Sequence, residues 1–179
     1  ADHVIDMHGG DTDESLFPFS YWTPTGNAQQ DSVSKRLVLA FGVPHIVVSR
    51  DRPKDPNASR YLENTATTRG KASVTAEAGY HGTVMPRDVD TLVNGSYKVM
   101  AELRMIERKV PRIKPVWLTE MHTVVGGATG IFYPLVSRTQ QVKKGERIGY
   151  TTDYLGKELE SVVSPADGIV LYVRPVPSM

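Results

Sequence analysis

The chain has 179 residues, is 40% hydrophobic and carries a formal net charge of +1. This length suits one domain or two small ones, and the near-zero net charge gives no electrostatic reason to expect nucleic acid or a membrane surface as a partner. The sequence contains no cysteine, which excludes disulfides, thiolate metal sites and cysteine nucleophiles and fits a cytoplasmic protein. It also lacks an apolar run of the roughly 20 residues that a membrane-spanning helix needs.

Residues 2–11 read as a short buried strand that ends in a cluster of Asp and His side chains. His8 would lie at the tip of this strand, just before Gly9 and Gly10, with an imidazole free to bind a metal ion. Asp6 could hold its other ring nitrogen, as carboxylates do for many metal-bound histidines. The alternative is an ordinary polar loop that contains a histidine.

The next part of the chain alternates between helix and strand signals. Residues 17–22 are rich in aromatic side chains and predict a loop that either lines a substrate pocket or packs over the edge of the domain. Residues 25–41 predict a helix, capped by Asn27 or Asp31 and ended by Gly42. Residues 45–49 predict a second buried strand.

A polar stretch with two prolines, residues 51–70, predicts a surface loop that could contain a short helix over residues 58–69. In that helix some side chains should face water and others should face inward. The expected outward set is Arg60, Glu63 and Arg69, and the expected inward set is Tyr61, Leu62 and Ala66.

Residues 71–79 predict a central strand that carries one charge, Glu77, near its end. A carboxylate at the end of a buried strand is costly unless it has a proton, a partner or a chemical role. Glu77 is therefore either an ion-paired structural residue or a functional one. Tyr80 and His81 lie in a flexible turn directly beyond it.

The clearest helical pattern covers residues 87–108, and Gly95 in its middle suggests close packing. Residues 111–115 resemble a linker. Beyond them, short apolar runs separated by Gly, Pro and Asp predict a small all-β module. We place the boundary near residue 112, which gives domains at 1–111 and 112–179.

Two sets of motifs resemble known families. Residues 142–146 and 164–170 resemble the "V-x-x-G" and "A-P-x-x-G-x-V" turns of the barrel-sandwich hybrid found in biotinyl and lipoyl domains. The D-x-H at residues 6–8 and the T-x-E-x-G at residues 75–79 resemble the succinylglutamate desuccinylase/aspartoacylase family of zinc deacylases. This resemblance implies an α/β fold: a partial M14 carboxypeptidase-like αβα domain with a mixed sheet, followed by the barrel-sandwich module.

The resemblance also implies roles for individual residues. His8 corresponds to the third zinc ligand of the family, and Glu77 to the general base that activates the zinc-bound water. The implied reaction is hydrolysis of an amide bond in a small N-acyl amino acid-like substrate, with one Zn2+ ion as cofactor. Tyr80 and His81 are candidates for lining the substrate pocket.

One part of the family pattern is missing from the sequence. The family takes its first two zinc ligands from an upstream H-x-x-E motif, and none of the five histidines here is followed by Glu three residues later. We therefore expect this chain to correspond to the later part of such an enzyme and to lack a complete metal site.

Two other classes of function remain open. Lys157 lies eight residues before Pro165, close to the spacing of the modified lysine in lipoyl-type carrier domains. The residues before it differ from the turn that ligases recognise, and a carrier would leave the first 110 residues unexplained. The other class is a non-catalytic binding protein with the same fold. The sequence is compatible with a homo-oligomer but does not predict one.

Overall fold

The computed structural model describes residues 1–177, in which helices and strands alternate at first and short strands follow. The elements in chain order are β1 (His3–His8), β2 (Ser15–Leu16), β3 (Phe19–Trp22), α1 (Ala28–Phe41), β4 (His45–Val48), α2 (Leu62–Thr67), β5 (Ala72–Glu77), α3 (Pro86–Glu102), β6 (Val116–Leu118), β7 (Ile131–Pro134), β8 (Gln141–Val142), β9 (Arg147–Thr152), β10 (Glu158–Val163), β11 (Gly168–Ile169) and β12 (Tyr172–Val173). None of the described helices has the length and apolar character needed to cross a bilayer.

Internal contacts divide the chain into two compact units. The first contains residues 1–9, 18–78 and 84–121, and the second contains residues 10–17, 79–83 and those from 122 onward. Each unit is therefore built from segments that are separated in the sequence. The division into domains at residues 1–111 and 112–179 stays a prediction.

The first unit is built around a five-stranded mixed sheet with the order β1-β5-β3-β4-β6. β1 runs parallel to β5, whereas β3 runs antiparallel to β5 and parallel to β4, which is in turn parallel to β6. The strand direction thus reverses once, between β5 and β3. This architecture confirms the predicted mixed α/β class. It also places residue 117 in this sheet, although the sequence suggested that it belonged to the β module.

The hydrophobic core of the first unit lies on one face of the sheet. Its fully buried side chains include Leu37 and Phe41 of α1, Val74 and Ala76 of β5, and Val99 of α3. Side chains alternate along a strand, so Thr75 and Glu77 of β5 project to the opposite face. Helix α2 contacts β1 and β5, and its Glu63 N–H donates to Asp6, which lies on this second face beside Thr75.

The ends of α1 and α3 follow from local chemistry. Asn27 caps α1 by accepting a hydrogen bond from the Gln30 N–H at 3.1 Å, and Gly42 ends it in the left-handed conformation with φ of 85°. Helix α3 ends at Glu102 and not at residue 108 as predicted, because Arg104 adopts a positive φ of 59°. Charged residues continue the helical pattern of the sequence past this point, but the backbone has already turned.

The aromatic segment at residues 17–22 differs from its prediction. Residues 19–22 form β3, which pairs with β5 on one side and with β4 on the other. The prediction of a loop was wrong because Phe, Tyr and Trp favour strands, and here Phe19 and Ser20 are buried in the sheet. Pro18 lies just before the first paired residue, where a strand tolerates proline.

The orientation predicted for the short helix was also partly wrong. Helix α2 buries Glu63, which is 9% exposed, whereas Tyr61 and Leu62 beside its start are each 56% exposed. Ala66 is buried and Arg69 is exposed, as expected. A helix of six residues shows less than two turns of periodicity, so its sequence pattern could not determine which side faces the sheet.

The second unit consists of short antiparallel pairs: the sheet β10-β9-β7 and the pairs β11-β8 and β12-β2. Asp167 braces the turn after β8, where it accepts the Lys144 N–H at 2.8 Å and the Lys143 Nζ at 3.0 Å. Gly145 permits this turn with a φ of 82°. The strands agree with the predicted all-β character, while the barrel-sandwich hybrid itself stays a prediction.

Candidate functional site

His8 and Glu77 occupy the same register position at the ends of two adjacent parallel strands. His8 is the last residue of β1, Glu77 is the last residue of β5, and the two are direct cross-strand partners. Their side chains therefore project from the same face of the sheet. His8 Nδ1 lies 4.0 Å from Glu77 Oε1. The structure thus brings together the two residues that the sequence motifs selected.

Asp6 contacts the other nitrogen of the His8 ring, as the sequence suggested. Asp6 Oδ1 lies 3.1 Å from His8 Nε2, and the Asp6 side chain is only 12% exposed. A carboxylate accepts hydrogen bonds but cannot donate them, so Asp6 is placed to favour a proton on Nε2. In the neutral tautomer that carries this proton, the lone pair is on Nδ1, the nitrogen that faces Glu77.

This arrangement fits part of a zinc site. An imidazole whose far nitrogen is held by a carboxylate, with the near nitrogen unprotonated, is the usual form of a metal-bound histidine. A zinc ion is bound by three or four protein ligands, however. Residues 1–177 contain no cluster of three His, Asp or Glu side chains that could hold a metal ion. The described residues therefore supply one candidate ligand and do not form a complete zinc site by themselves.

Glu63 is a polar neighbour of this site that the sequence did not reveal. Burial raises the pKa of its carboxyl group, the nearby Thr23 hydroxyl opposes this rise, Asp6 and Asp51 raise the pKa further, and the charge of Arg52 lowers it. Its backbone N–H donates to Asp6 Oδ2 at 3.2 Å. Position 63 reads as an ordinary charged residue on a polar stretch, so only the tertiary structure shows its burial.

Tyr80 and His81 lie in the second unit. Tyr80 forms bridges with Ser15 and Thr83, and the guanidinium of Arg138 lies 5.1 Å from its ring centroid. His81 adopts a positive φ of 56°, and its ring meets the Tyr80 ring edge-on at 4.6 Å. Their predicted role in substrate binding stays a prediction.

Lys157, the residue on which the carrier alternative depends, lies at the start of β10 beside the turn that follows β9. Its backbone N–H donates to Asp153 Oδ1 at 2.9 Å, and its side chain is exposed. This position leaves the lysine accessible but does not indicate that it is modified.

The fold of the chain is that of several solved proteins, some of which are named as succinylglutamate desuccinylase or aspartoacylase family proteins. The apo structure of the ectoine utilization protein EutE (DoeB) from Ruegeria pomeroyi matches 99% of this chain and 57% of its own length, with a TM-score of 0.85 and 18% identity. The succinylglutamate desuccinylase/aspartoacylase from Rhodobacter sphaeroides matches 100% of this chain and 55% of its own length, with a TM-score of 0.84 and 21% identity. An aspartoacylase family protein from Mesorhizobium loti matches 99% and 52%, with a TM-score of 0.71 and 18% identity.

These similarities confirm, at the level of the fold, the resemblance that the two motifs suggested. The chain spans about half the length of the solved structures that it matches. No protein-family model matches the chain, and no curated protein matches it.

Proposed function

We propose that the complete protein is a zinc-dependent hydrolase that cleaves the amide bond of a small N-acyl amino acid-like substrate. The observation that carries this proposal is the register pairing of His8 with Glu77 at the ends of adjacent parallel strands. Open α/β sheets place their sites at such strand ends. The fold shared with structures named as desuccinylases and aspartoacylases supports the same class of substrate.

The residues of this chain have distinct parts in the proposed site. His8 offers Nδ1 as one metal ligand while Asp6 fixes the ring, and the remaining ligands come from an H-x-x-E motif elsewhere in the complete polypeptide. A bound zinc ion supplies an acidified water and a polarised carbonyl. Glu77 accepts a proton from the attacking water and transfers it to the leaving amine, as a general base and acid.

The β-rich C-terminal part has a separate proposed identity. Residues 112–179 include a barrel-sandwich hybrid module that follows the catalytic part. Support comes from the antiparallel strand pairs that lie within residues 131–169. Further support comes from the turn at Gly145, where Asp167 accepts a hydrogen bond from the Lys144 N–H. Intact-mass measurement distinguishes this structural module from a carrier, because a lipoyl or biotinyl group on Lys157 would add its own mass.

The test uses the full-length polypeptide, with metal content and hydrolysis measured together. Hydrolysis is followed on N-acetyl and N-succinyl amino acids, and zinc is counted by elemental analysis. Glu77→Gln keeps the size of the side chain but removes the base, so we expect it to retain zinc and to lose about 10²–10⁴-fold in kcat. Glu107→Gln, a matched change at an exposed position, should leave both measurements unaltered.

Two outcomes would contradict the proposal. Normal turnover in Glu77→Gln would show that this carboxylate is not the base. Stoichiometric binding of zinc without hydrolysis of any substrate in the panel would instead favour the non-catalytic binding protein.

A further inference from the structure

Helix α2 begins without a cap from its own sequence. Tyr61 occupies the N-cap position and makes no side-chain hydrogen bond to the helix within the described chain. The first N–H groups of a helix have no partner inside the helix and need one elsewhere. The Glu63 N–H finds its partner in Asp6, a residue of β1 that lies 57 positions earlier in the sequence.

The two oxygens of the Asp6 carboxylate therefore contact different elements. Oδ2 accepts the Glu63 N–H at 3.2 Å, and Oδ1 lies 3.1 Å from His8 Nε2. A carboxylate fixed at both oxygens cannot turn about its terminal bond without losing one contact. Asp6 thus transmits the position of α2 to the His8 ring.

The His8 ring is only partly enclosed, so its contacts with Asp6 and Glu77 largely determine its orientation. Its side chain is 45% exposed, whereas the side chain of Asp6 is 12% exposed. An exposed imidazole that loses its partner gains rotational freedom, and that freedom must be lost again when a metal binds. Ordering the ring in advance lowers this entropic cost.

The Glu63 side chain is itself buried, and the charge of Asp6 is one of the causes that raise the pKa of its carboxyl group. Glu63 is 9% exposed, and Thr23, Arg52 and Asp51 are its other polar or charged neighbours. Removal of this buried side chain would leave a gap at the start of α2, and the first turn of the helix could then shift together with the N–H that Asp6 accepts. We therefore expect the packing of the Glu63 side chain to hold its own N–H, and through it Asp6, in place.

We propose that Glu63 is a positioning residue for His8, acting through Asp6, and that it prepares the imidazole for metal binding. The proposal rests on the proposed function in one respect, namely that His8 is a metal ligand. It assigns to α2, a helix outside the two sequence motifs, a part in the metal affinity of the complete protein.

Three substitutions at position 63 in the full-length protein separate the two contributions. Glu63→Gln keeps the N–H and nearly the same volume, Glu63→Ala removes only the side chain, and Glu63→Pro also removes the N–H. Proline is tolerated in the first turn of a helix because the N–H groups there have no partner within the helix. Leu62→Pro is the matched control, since it places proline in the same turn but leaves the Glu63 N–H intact.

Zinc affinity is measured by competition with a chromophoric chelator, and the His8 ring nitrogens are observed by 15N NMR without metal. We expect Glu63→Gln and Leu62→Pro to retain wild-type affinity and a ring protonated at Nε2. Glu63→Ala should weaken zinc binding by about tenfold and Glu63→Pro by up to about a hundredfold, which is the range found for residues that orient metal ligands. Both variants should also shift the His8 nitrogen signals towards those of a ring that exchanges between tautomers.

The outcomes separate this proposal from the proposed function. If Glu63→Ala binds zinc as tightly as wild type and its His8 signals are unchanged, Glu63 does not position His8. If Glu63→Pro fails to fold, as judged by circular dichroism, the zinc affinity and His8 signals of Glu63→Gln and Glu63→Ala still decide whether Glu63 positions His8. If the wild-type protein binds no zinc, the hydrolase proposal fails, while the metal-free NMR signals still test the connection from Glu63 to His8.

Discussion

His8 and Glu77 are separated by 68 intervening residues, yet they are direct partners in the parallel register of β1 and β5. The distance of 4.0 Å between His8 Nδ1 and Glu77 Oε1 follows from that register, because equivalent positions on adjacent parallel strands project side by side. A shift by one residue would place Glu77 on the opposite face of the sheet. Strand pairing is therefore the structural basis of the candidate site.

The role of Asp6 can be tested by removing its charge. In the wild-type protein, Asp6 Oδ1 lies 3.1 Å from His8 Nε2. Asp6→Asn preserves the shape of this side chain but replaces the charged acceptor with a neutral amide. We expect zinc affinity of the full-length protein to fall about 10–100-fold, as for other partners of metal-bound histidines. Competition with a chelator measures the loss, and an affinity equal to that of wild type would contradict the role.

The buried carboxyl group of Glu63 predicts a dependence of stability on pH. Because burial raises its native-state pKa above the ordinary value, the contribution of Glu63 to stability is greatest below the unfolded-state pKa and is lost as pH rises through the raised native-state value. Glu63→Gln cannot ionise and should avoid this loss. Denaturant unfolding across acidic to neutral pH should therefore show the variant gaining stability relative to wild type as pH rises.

The same pH series with Glu107→Gln provides the control. Glu107 is exposed, so its removal should leave the pH dependence of unfolding parallel to that of wild type. A Glu63→Gln curve that also ran parallel to wild type would show that Glu63 titrates normally.

Replacement of Gly95 by alanine should create a steric clash in the core of the first unit. A Cβ at this position of α3 would lie 2.5 Å from Cε1 and 2.7 Å from Cε2 of Phe41, a core residue that is 1% exposed. The better helix propensity of alanine, about 1 kcal/mol, partly offsets the overpacking, which typically costs about 1–3 kcal/mol. We expect Gly95→Ala to unfold at a lower temperature than wild type.

A glycine in open surroundings controls for this measurement. At Gly168 an added Cβ would meet no described atom within 4 Å, so Gly168→Ala should leave the unfolding temperature nearly unchanged. Equal stability of the two variants would mean that α3 can move away from Phe41 at little cost.

For Asp167 in the second unit, we predict a dependence of stability on pH that is opposite in sign to that of Glu63. The Lys144 N–H, and then the Lys143 ammonium group, hold its pKa below the usual range. A lowered native-state pKa contributes stability above the unfolded-state pKa and loses that contribution as pH falls through the native value. Asp167→Ala should therefore lower the unfolding temperature at neutral pH, and the difference from wild type should shrink in acid. A constant difference across this range would rule out the charged form of Asp167 as its cause.

The sequence predicted the parts of this fold that depend on short-range chemistry. The Asn27 cap and the left-handed Gly42 are determined by neighbouring residues, and the absence of a side chain at Gly95 indicated close packing without identifying Phe41 as the partner. Glu77 was selected because a lone charge at the end of an apolar strand is unusual.

Long-range contacts account for the features that the sequence did not predict. Residues 19–22 form a central strand because β4 and β5 lie on either side, and both are distant in the sequence. Glu63 is buried because α2 packs on β1 and β5, where Asp6 accepts a hydrogen bond from the Glu63 backbone N–H. Neither contact leaves a local periodicity that could be recognised in advance.

The reversal of strand direction between β5 and β3 gives the two rims of the main sheet different uses. His8 and Glu77 end their strands at one rim, whereas β3 and β4 end at the opposite rim. The turn at residues 24–27, which follows β3, therefore lies at the rim away from His8 and Glu77 although it adjoins the sheet. A fluorescent dye attached at the exposed position 28, where α1 begins directly after this turn, would report unfolding of the sheet without covering the candidate site.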